Sequence, residues 1–258
     1  MNNSVNKQIT IDLNCDMGES FGAWKMGHDS ELMNYVSSVN IACGFHAGDP
    51  SVMRKTVEIA VKKGVAIGAH PGFPDLQGFG RREMNFSTQD IFDIVLYQVS
   101  ALKGICEAHG AKLHHVKPHG ALYNQAAKDA ESAASIAAAV KKIDKNLIYY
   151  GLSGSFLISE AGKIGLRTVS EVFADRTYKS DGSLTPRSEK NALINDAEIA
   201  VGQILQMIET QTVSAANGET VPLKAETICL HGDGENALEF AEKIYKNLCE
   251  RKILIRKP

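Results

Sequence analysis

Residues able to carry chemistry fall in short groups along the chain. Each group lies within or just beyond a short apolar run. The first holds Asp12, Asn14, Asp16 and Glu19, and the second holds His46 and Asp49. The third holds His70, then Arg81 and Arg82 beyond a glycine-rich stretch, and the fourth holds Lys117 and His119. Later groups are Glu171, Asp175 and Arg176, then His231 and Asp233. Carboxylates and imidazoles suit general acid–base work and divalent-metal ligation. Lysine and paired arginines suit carboxylates and phosphates.

Each residue also has a plainer reading. A lone histidine beside Gly or Pro is as readily a structural hydrogen-bonding group as a catalyst. Of the eight histidines, His46, His70, His119 and His231 all fall just beyond a β-type run, and convergence of four favours function. His109 at a helix end is explained by the helix dipole. His114 and His115 are adjacent in one strand, so at most one faces inward. Asp12 and Asn14 share a strand face. Asp12 reads either as a buried network partner of Lys117 or an arginine, or as a general base or metal ligand. Lys117 reads either as a solvated strand-end residue or as a cation aimed at an anion, and the constrained turn expected from Pro118 and Gly120 favours the second. Asp49 and Ser87 read as helix caps.

The elements that must position these residues alternate. Strands are expected at Ile9–Asn14, Val39–Cys43, Val65–Ala69, Leu113–Lys117, Leu147–Tyr150, Leu166–Glu171 and Thr227–His231. Helices are expected at Ser51–Lys63, Thr88–His109, Glu131–Lys142, Ser155–Lys163, Glu189–Glu209 and Glu235–Arg251. Repetition of strand and helix implies a parallel sheet. An open sheet gathers its site at one switch point, whereas a barrel gathers every strand end at one mouth. Polar groups after nearly every strand therefore predict a seven-stranded (β/α) TIM-like barrel, a single domain over residues 1–258. Ala174–Ser188 reads as a long loop over the mouth. Thr212–Pro222, with Asn217-Gly218, reads as a hairpin.

Composition narrows the function classes. The 258 residues, 44% of them hydrophobic, suffice for one large core. A net charge of -2 and only 7% aromatics argue against a nucleic-acid surface. The five cysteines form no CxxC pair, which argues against a disulfide framework or a thiolate zinc site. No apolar run is long enough for a bilayer and no signal peptide is visible, so a cytoplasmic protein is expected. P-loop, GxGxxG, GxSxG and HExxH motifs are absent. A nucleotide site, if present, is built from scattered rim residues or shared with another chain.

Six segments together resemble the LamB/YcsF family. They are Asp12–Gly22 (DLNCDMGESFG), Asn40–Pro50 (NIACGFHAGDP), Gly68–Gly72 (GAHPG), Val116–Tyr123 (VKPHGALY), Glu171–Arg176 (EVFADR) and Cys229–Asp233 (CLHGD). The resemblance runs from about Ile9 to Leu248. It implies the seven-stranded barrel of the glycoside hydrolase/deacetylase superfamily. It also implies an ATP-dependent 5-oxoprolinase that works with subunits B and C. Such an enzyme opens 5-oxoproline to L-glutamate, with ATP and Mg2+ as co-substrate and no tightly bound organic cofactor.

Under that resemblance the catalytic set is Asp12, Asn14, Asp16, His46, His70, Lys117 and His119. Asp12 or Asp16 activates water, with His46 and His70 in support, and Lys117 holds an anion. The substrate-binding set is Glu19, Glu171, Arg176, His231 and Asp233. Two rivals remain. One is a metal-dependent amidohydrolase or carbohydrate deacetylase, with Asp16, His46 and His70 on a divalent ion. The other is a non-catalytic scaffold role. A homo-oligomer remains open.

Overall fold

The computed structural model describes residues 8–230 and 237–258. Seven parallel strands close on themselves. They are β1 (Thr10–Met17), β2 (Ser38–Ala42), β3 (Ala66–His70), β4 (His115–Val116), β5 (Ile148–Leu152), β6 (Arg167–Phe173) and β9 (Thr227–Leu230). Closure is made by β9, which pairs with both β6 and β1. β7 (Thr212–Ser214) and β8 (Thr220–Pro222) form a separate antiparallel hairpin, as the Asn217-Gly218 turn predicts. The closed parallel barrel is the expected architecture.

Alternation along β1 explains both layers. Ile11, Leu13, Cys15 and Met17 join the large apolar core, while Asp12, Asn14 and Asp16 take the opposite face. Helices α1 (Asp29–Leu32), α2 (Pro50–Lys63), α3 (Thr88–Ala108), α4 (Gly120–Ala126), α5 (Ala130–Ile143), α6 (Phe156–Lys163), α7 (Ala197–Thr210) and α8 (Ala237–Glu250) connect the strands. Their ends follow local chemistry. Asp49 caps α2, Pro50 opens it, and Gly64 closes it at φ 71°. Ser87 and Asp90 make a capping box on α3.

A small apolar cluster of Ile148, Tyr150 and Val169 is separate from the large core, and Leu152 and Phe173 reach the cavity above. Register places the polar layers of the lumen. Asp12 lies across from Thr227, Asn14 from Ser38 and Cys229, and Asp16 from Asn40. Gly68 lies across from both Asn40 and His115. A Cβ at Gly68 would land on the His115 ring, so glycine there makes room for an imidazole inside the barrel.

Four expectations are corrected. The expected helix Glu189–Glu209 begins only at Ala197, because Asp196 caps it through the amides of Glu198 and Ile199. The loop over the mouth therefore extends through residue 196, stitched by bridges Arg176–Leu193 and Tyr178–Leu184. The constrained turn after Lys117 opens a helix, α4. A further strand, β10 (Leu254–Ile255), pairs with the start of β1. Among the described residues no helix is long and apolar enough to cross a membrane.

Asp49 accepts from Ser51, Val52 and also Gly22, so it ties the β1–α1 loop to α2. These amides, Gly22 foremost, pull its carboxyl down to about 2. Asp49→Ala should cost about 1 kcal/mol by urea denaturation, the usual loss for an N-cap.

Candidate active site at the barrel mouth

The lowest polar layer surrounds Asp12. Its carboxylate accepts from Ser37 Oγ (2.6 Å), Ser38 Oγ (2.7 Å), Thr227 Oγ1 (2.5 Å) and Tyr150 Oη (3.0 Å). Burial raises its pKa although all four hydroxyls oppose that. Asp12 thus closes a buried network, with hydroxyls in place of the expected Lys117 or arginine. It does not line the cavity above.

The next layer is ionic. Lys117 Nζ lies 2.9 Å from Asp16 Oδ1 and 2.8 Å from Glu171 Oε1. Burial works against the ammonium, but Asp16 and Glu171 outweigh it and raise its pKa well above the usual lysine value. Lys117 also donates to Asn14 Oδ1 at 3.2 Å and to Cys229 Sγ at 3.1 Å. Asn14 donates to Glu171 Oε1 (3.0 Å) and Thr227 Oγ1 (2.7 Å). Asn40 donates to both Asn14 Oδ1 (2.7 Å) and Asp16 Oδ1 (2.8 Å). Tyr123 on α4 donates to Glu171 Oε2 at 2.7 Å.

Three histidines stand at the top. His70 Nδ1 donates to the Lys117 carbonyl at 2.7 Å, and its Nε2 lies 3.3 Å from Asp16 Oδ2. His119 Nε2 donates to the Phe79 carbonyl at 2.8 Å, and its Nδ1 lies 2.9 Å from His70 Nε2. His46 stacks flat on His119, with centroids 3.7 Å apart. Glu19 Oε1 approaches His46 Nε2 at 4.0 Å and His119 Nδ1 at 3.9 Å. Burial, then the neighbouring imidazoles, holds His46 and His119 neutral, with pKa values well below the usual histidine range.

Above them opens a cavity of about 880 Å³. Asp16, Glu19, His70, Lys117, His119 and Arg176 are among its lining residues. The loop after β6 supplies much of the far wall, through residues 181–188. Arg176 is buried, and it donates to the carbonyls of Thr185 and Ala192. It therefore braces the loop as well as facing the cavity. Burial, followed by Arg187, lowers its pKa to about 10.

The expected site residues thus separate by depth. Asp16, Glu19, His70, Lys117, His119 and Arg176 reach the cavity. Asp12 and Asn14 lie beneath it, and His46 lies behind His70 and His119. Glu171 is fully buried and does not line the cavity; Lys117, Asn14 and Tyr123 occupy both its oxygens. His231 and Asp233 fall outside the described residues. The arginine pair splits, since Arg82 bridges Asp75 while Arg81 lies over the Phe79 ring.

Sequence reasoning missed Asn40, Tyr123, Tyr150 and the inward His115. Asn40 carried a readable signal. It is polar within the apolar run Val39–Cys43. Of the adjacent histidines, His115 is the buried one, stacked on Tyr150 and donating to Asn40 Oδ1 at 2.8 Å.

A closed parallel barrel with acid, base and ammonium groups at its C-terminal mouth belongs to the class of (β/α) barrels built as enzymes. Within that class, the chain belongs to the LamB/YcsF family, whose model matches residues 11–258. It is 60% identical over 246 residues to the A subunit of 5-oxoprolinase from Tolumonas auensis, covering 95% of this chain and 98% of that one. It superposes on a lactam utilization protein from Thermus thermophilus with a TM-score of 0.91. The identity there is 46%, and the match covers 96% of this chain and 99% of the other. A β-1,4-mannanase of glycoside hydrolase family 113 shares the fold alone, with a TM-score of 0.50 and 11% identity, over 93% of this chain and 99% of that one.

Burial, then the charges of His114 and Lys117, lowers the pKa of His115 well below its usual value. In the unfolded chain the group takes a proton near pH 6.5. The unfolded state therefore binds more protons below that pH, and stability falls as pH drops. Between pH 7 and 5, His115 should contribute a slope of up to about 1.4 kcal/mol per unit. His115→Gln keeps a donor for Asn40 and should flatten the measured pH dependence of unfolding; an unchanged slope would refute the assignment.

Proposed function

We propose that this chain is the A component of an ATP-dependent 5-oxoprolinase acting in the cytoplasm. It would convert 5-oxoproline to L-glutamate together with subunits B and C. One observation carries the reading: 60% identity with the A subunit of a 5-oxoprolinase over 95% of the chain. The polar layers beneath the cavity supply groups that such a reaction needs.

A five-membered lactam is a poor electrophile because nitrogen donates into its carbonyl. Transfer of the γ-phosphoryl of Mg-ATP to the lactam oxygen makes the ring carbon electrophilic. Water adds to that carbon, the C–N bond breaks, and the nitrogen leaves as the amine. The acyl phosphate that remains takes a second water to give the γ-carboxylate and phosphate. The sum is 5-oxoproline, ATP and two waters to glutamate, ADP and phosphate.

Asp16 is the base that this geometry favours. Lys117 and Asn40 fix its Oδ1, and its Oδ2 points at His70 on the cavity floor. Water held there would lose its proton to Asp16. Lys117 sits beside the developing negative charge. Arg176 and Arg81 on the cavity wall would face the carboxylate and phosphoryl groups. No local nucleotide motif is present, and ATP binding is proposed at surfaces completed by the partner subunits.

Glutamate release from 5-oxoproline with Mg-ATP should appear when this chain is combined with folded B and C subunits. Asp16→Asn in that mixture should lower kcat by about 10²- to 10⁴-fold, the range for removal of a general base. Full activity of Asp16→Asn would overturn its role. Absence of glutamate with three folded subunits would overturn the function itself.

A further inference from the structure

We propose that Glu19, His46, His70 and His119 bind a divalent first-row transition-metal ion at the barrel mouth. Glu19 and the three imidazoles each present one ligand atom, and these four atoms all lie within 4.8 Å of one another. All four residues are buried.

The hydrogen bonds fix where the lone pairs point. A backbone carbonyl can only accept, so the ring nitrogen facing it must carry the proton. His70 therefore carries its proton on Nδ1, toward the Lys117 carbonyl. His119 carries its proton on Nε2, toward the Phe79 carbonyl. The two remaining nitrogens, His70 Nε2 and His119 Nδ1, face each other at 2.9 Å. In the neutral rings both are lone pairs. Two acceptors at that separation repel unless a positive charge lies between or beside them. Histidines whose far N–H groups are anchored on backbone carbonyls are also the usual preparation for metal ligation.

His46 gives an independent observation. Both of its ring nitrogens are buried without a hydrogen-bond partner, a costly state for a polar group. It packs against two glycines: a Cβ at Gly72 would come within 2.6 Å of its Nδ1, and one at Gly80 within 2.7 Å of its Cβ. The backbone is thus shaped around this ring. His46 lies parallel to His119, so it would reach the ion by tilting from the stack.

Charge points the same way. Asp16 and Glu171 pair with the buried ammonium of Lys117, while the Glu19 carboxylate approaches His46 and His119 themselves. Nitrogen-rich ligation with a carboxylate suits zinc and its first-row neighbours better than magnesium or calcium. The proposal stands apart from the ATP-dependent reaction, because the ligand geometry is the same whatever the substrate.

The test is metal content and spectroscopy of the full chain, with no assay of turnover. Protein purified without chelators or metal-affinity resin should carry about one equivalent of a first-row metal, as expected for a four-ligand site. After stripping with EDTA, added Co2+ should give visible ligand-field bands saturating at one equivalent and should raise Tm. His70→Gln and His119→Gln should each weaken Co2+ binding by at least about 100-fold, the upper end of losses seen even for second-layer groups. His109→Gln, on the outer end of α3, should bind as the wild type does. Circular dichroism separates loss of metal from loss of fold. Folded wild-type protein that shows neither bands nor a Tm shift with Co2+, Zn2+ or Mn2+ would overturn the proposal. So would a folded His70→Gln/His119→Gln protein that binds Co2+ undiminished; the positive charge between the rings would then be a shared proton.

Discussion

Lys117 is placed where an ammonium is expensive to keep. It is 2% exposed, at the end of a two-residue strand, inside a barrel. Desolvation of such a group costs several kcal/mol unless opposite charges lie close and every donor is used. Asp16 and Glu171 supply the charges, and Asn14 and Cys229 take further contacts. These partners come from β1, β6 and β9, on strands that meet only when the barrel closes. The ion cluster therefore depends on closure. Loss of Lys117 itself would leave both carboxylates buried without their cation, and breaking a buried pair in this way costs about 3–5 kcal/mol.

The polar lumen below extends the same logic. A barrel needs no carboxylate at its base for stability, yet Asp12 is held there by four hydroxyls. Asn14 and Asn40 connect the layers, each donating both amide protons. Fully satisfied networks of this kind fix side-chain positions more narrowly than apolar packing does. At the mouth the loop after β6 completes the enclosure. Arg176 braces it from within through the carbonyls of Thr185 and Ala192.

Much of this was legible in the sequence because its signals are local. All seven barrel strands were found, since each is a short apolar run ended by Gly, Pro or polar residues. The caps at Asp49 and Ser87 were readable for the same reason. β10 escaped because two residues carry no period, and its pairing with β1 spans nearly the whole chain. α4 escaped because Gly120, at φ 53°, reads as a turn, yet the helix starts there. The candidate site was legible as a set of residues but not as layers. Asp12, Asn14 and Asp16 share one face, and spacing alone cannot say that Asp12 is enclosed by hydroxyls while Asp16 meets the cavity. Glu171 looked like a rim residue because it ends an apolar run. Register pairs it with Thr227, one layer lower.

Asp16 joins the two layers that differ most in character. Through Oδ1 it belongs to the rigid ionic layer with Lys117 and Asn40. Through Oδ2 it faces His70, and His70 faces His119. A proton or cation added among the histidines therefore acts on the carboxylate that balances Lys117. Neutralising Asp16 would remove part of that balance, and Glu171 would hold the ammonium with less help. Below, Asn14 and Tyr123 keep Glu171 fixed in either condition. The depth order of the barrel thus lets charge change at the mouth while the groups that position it stay in place.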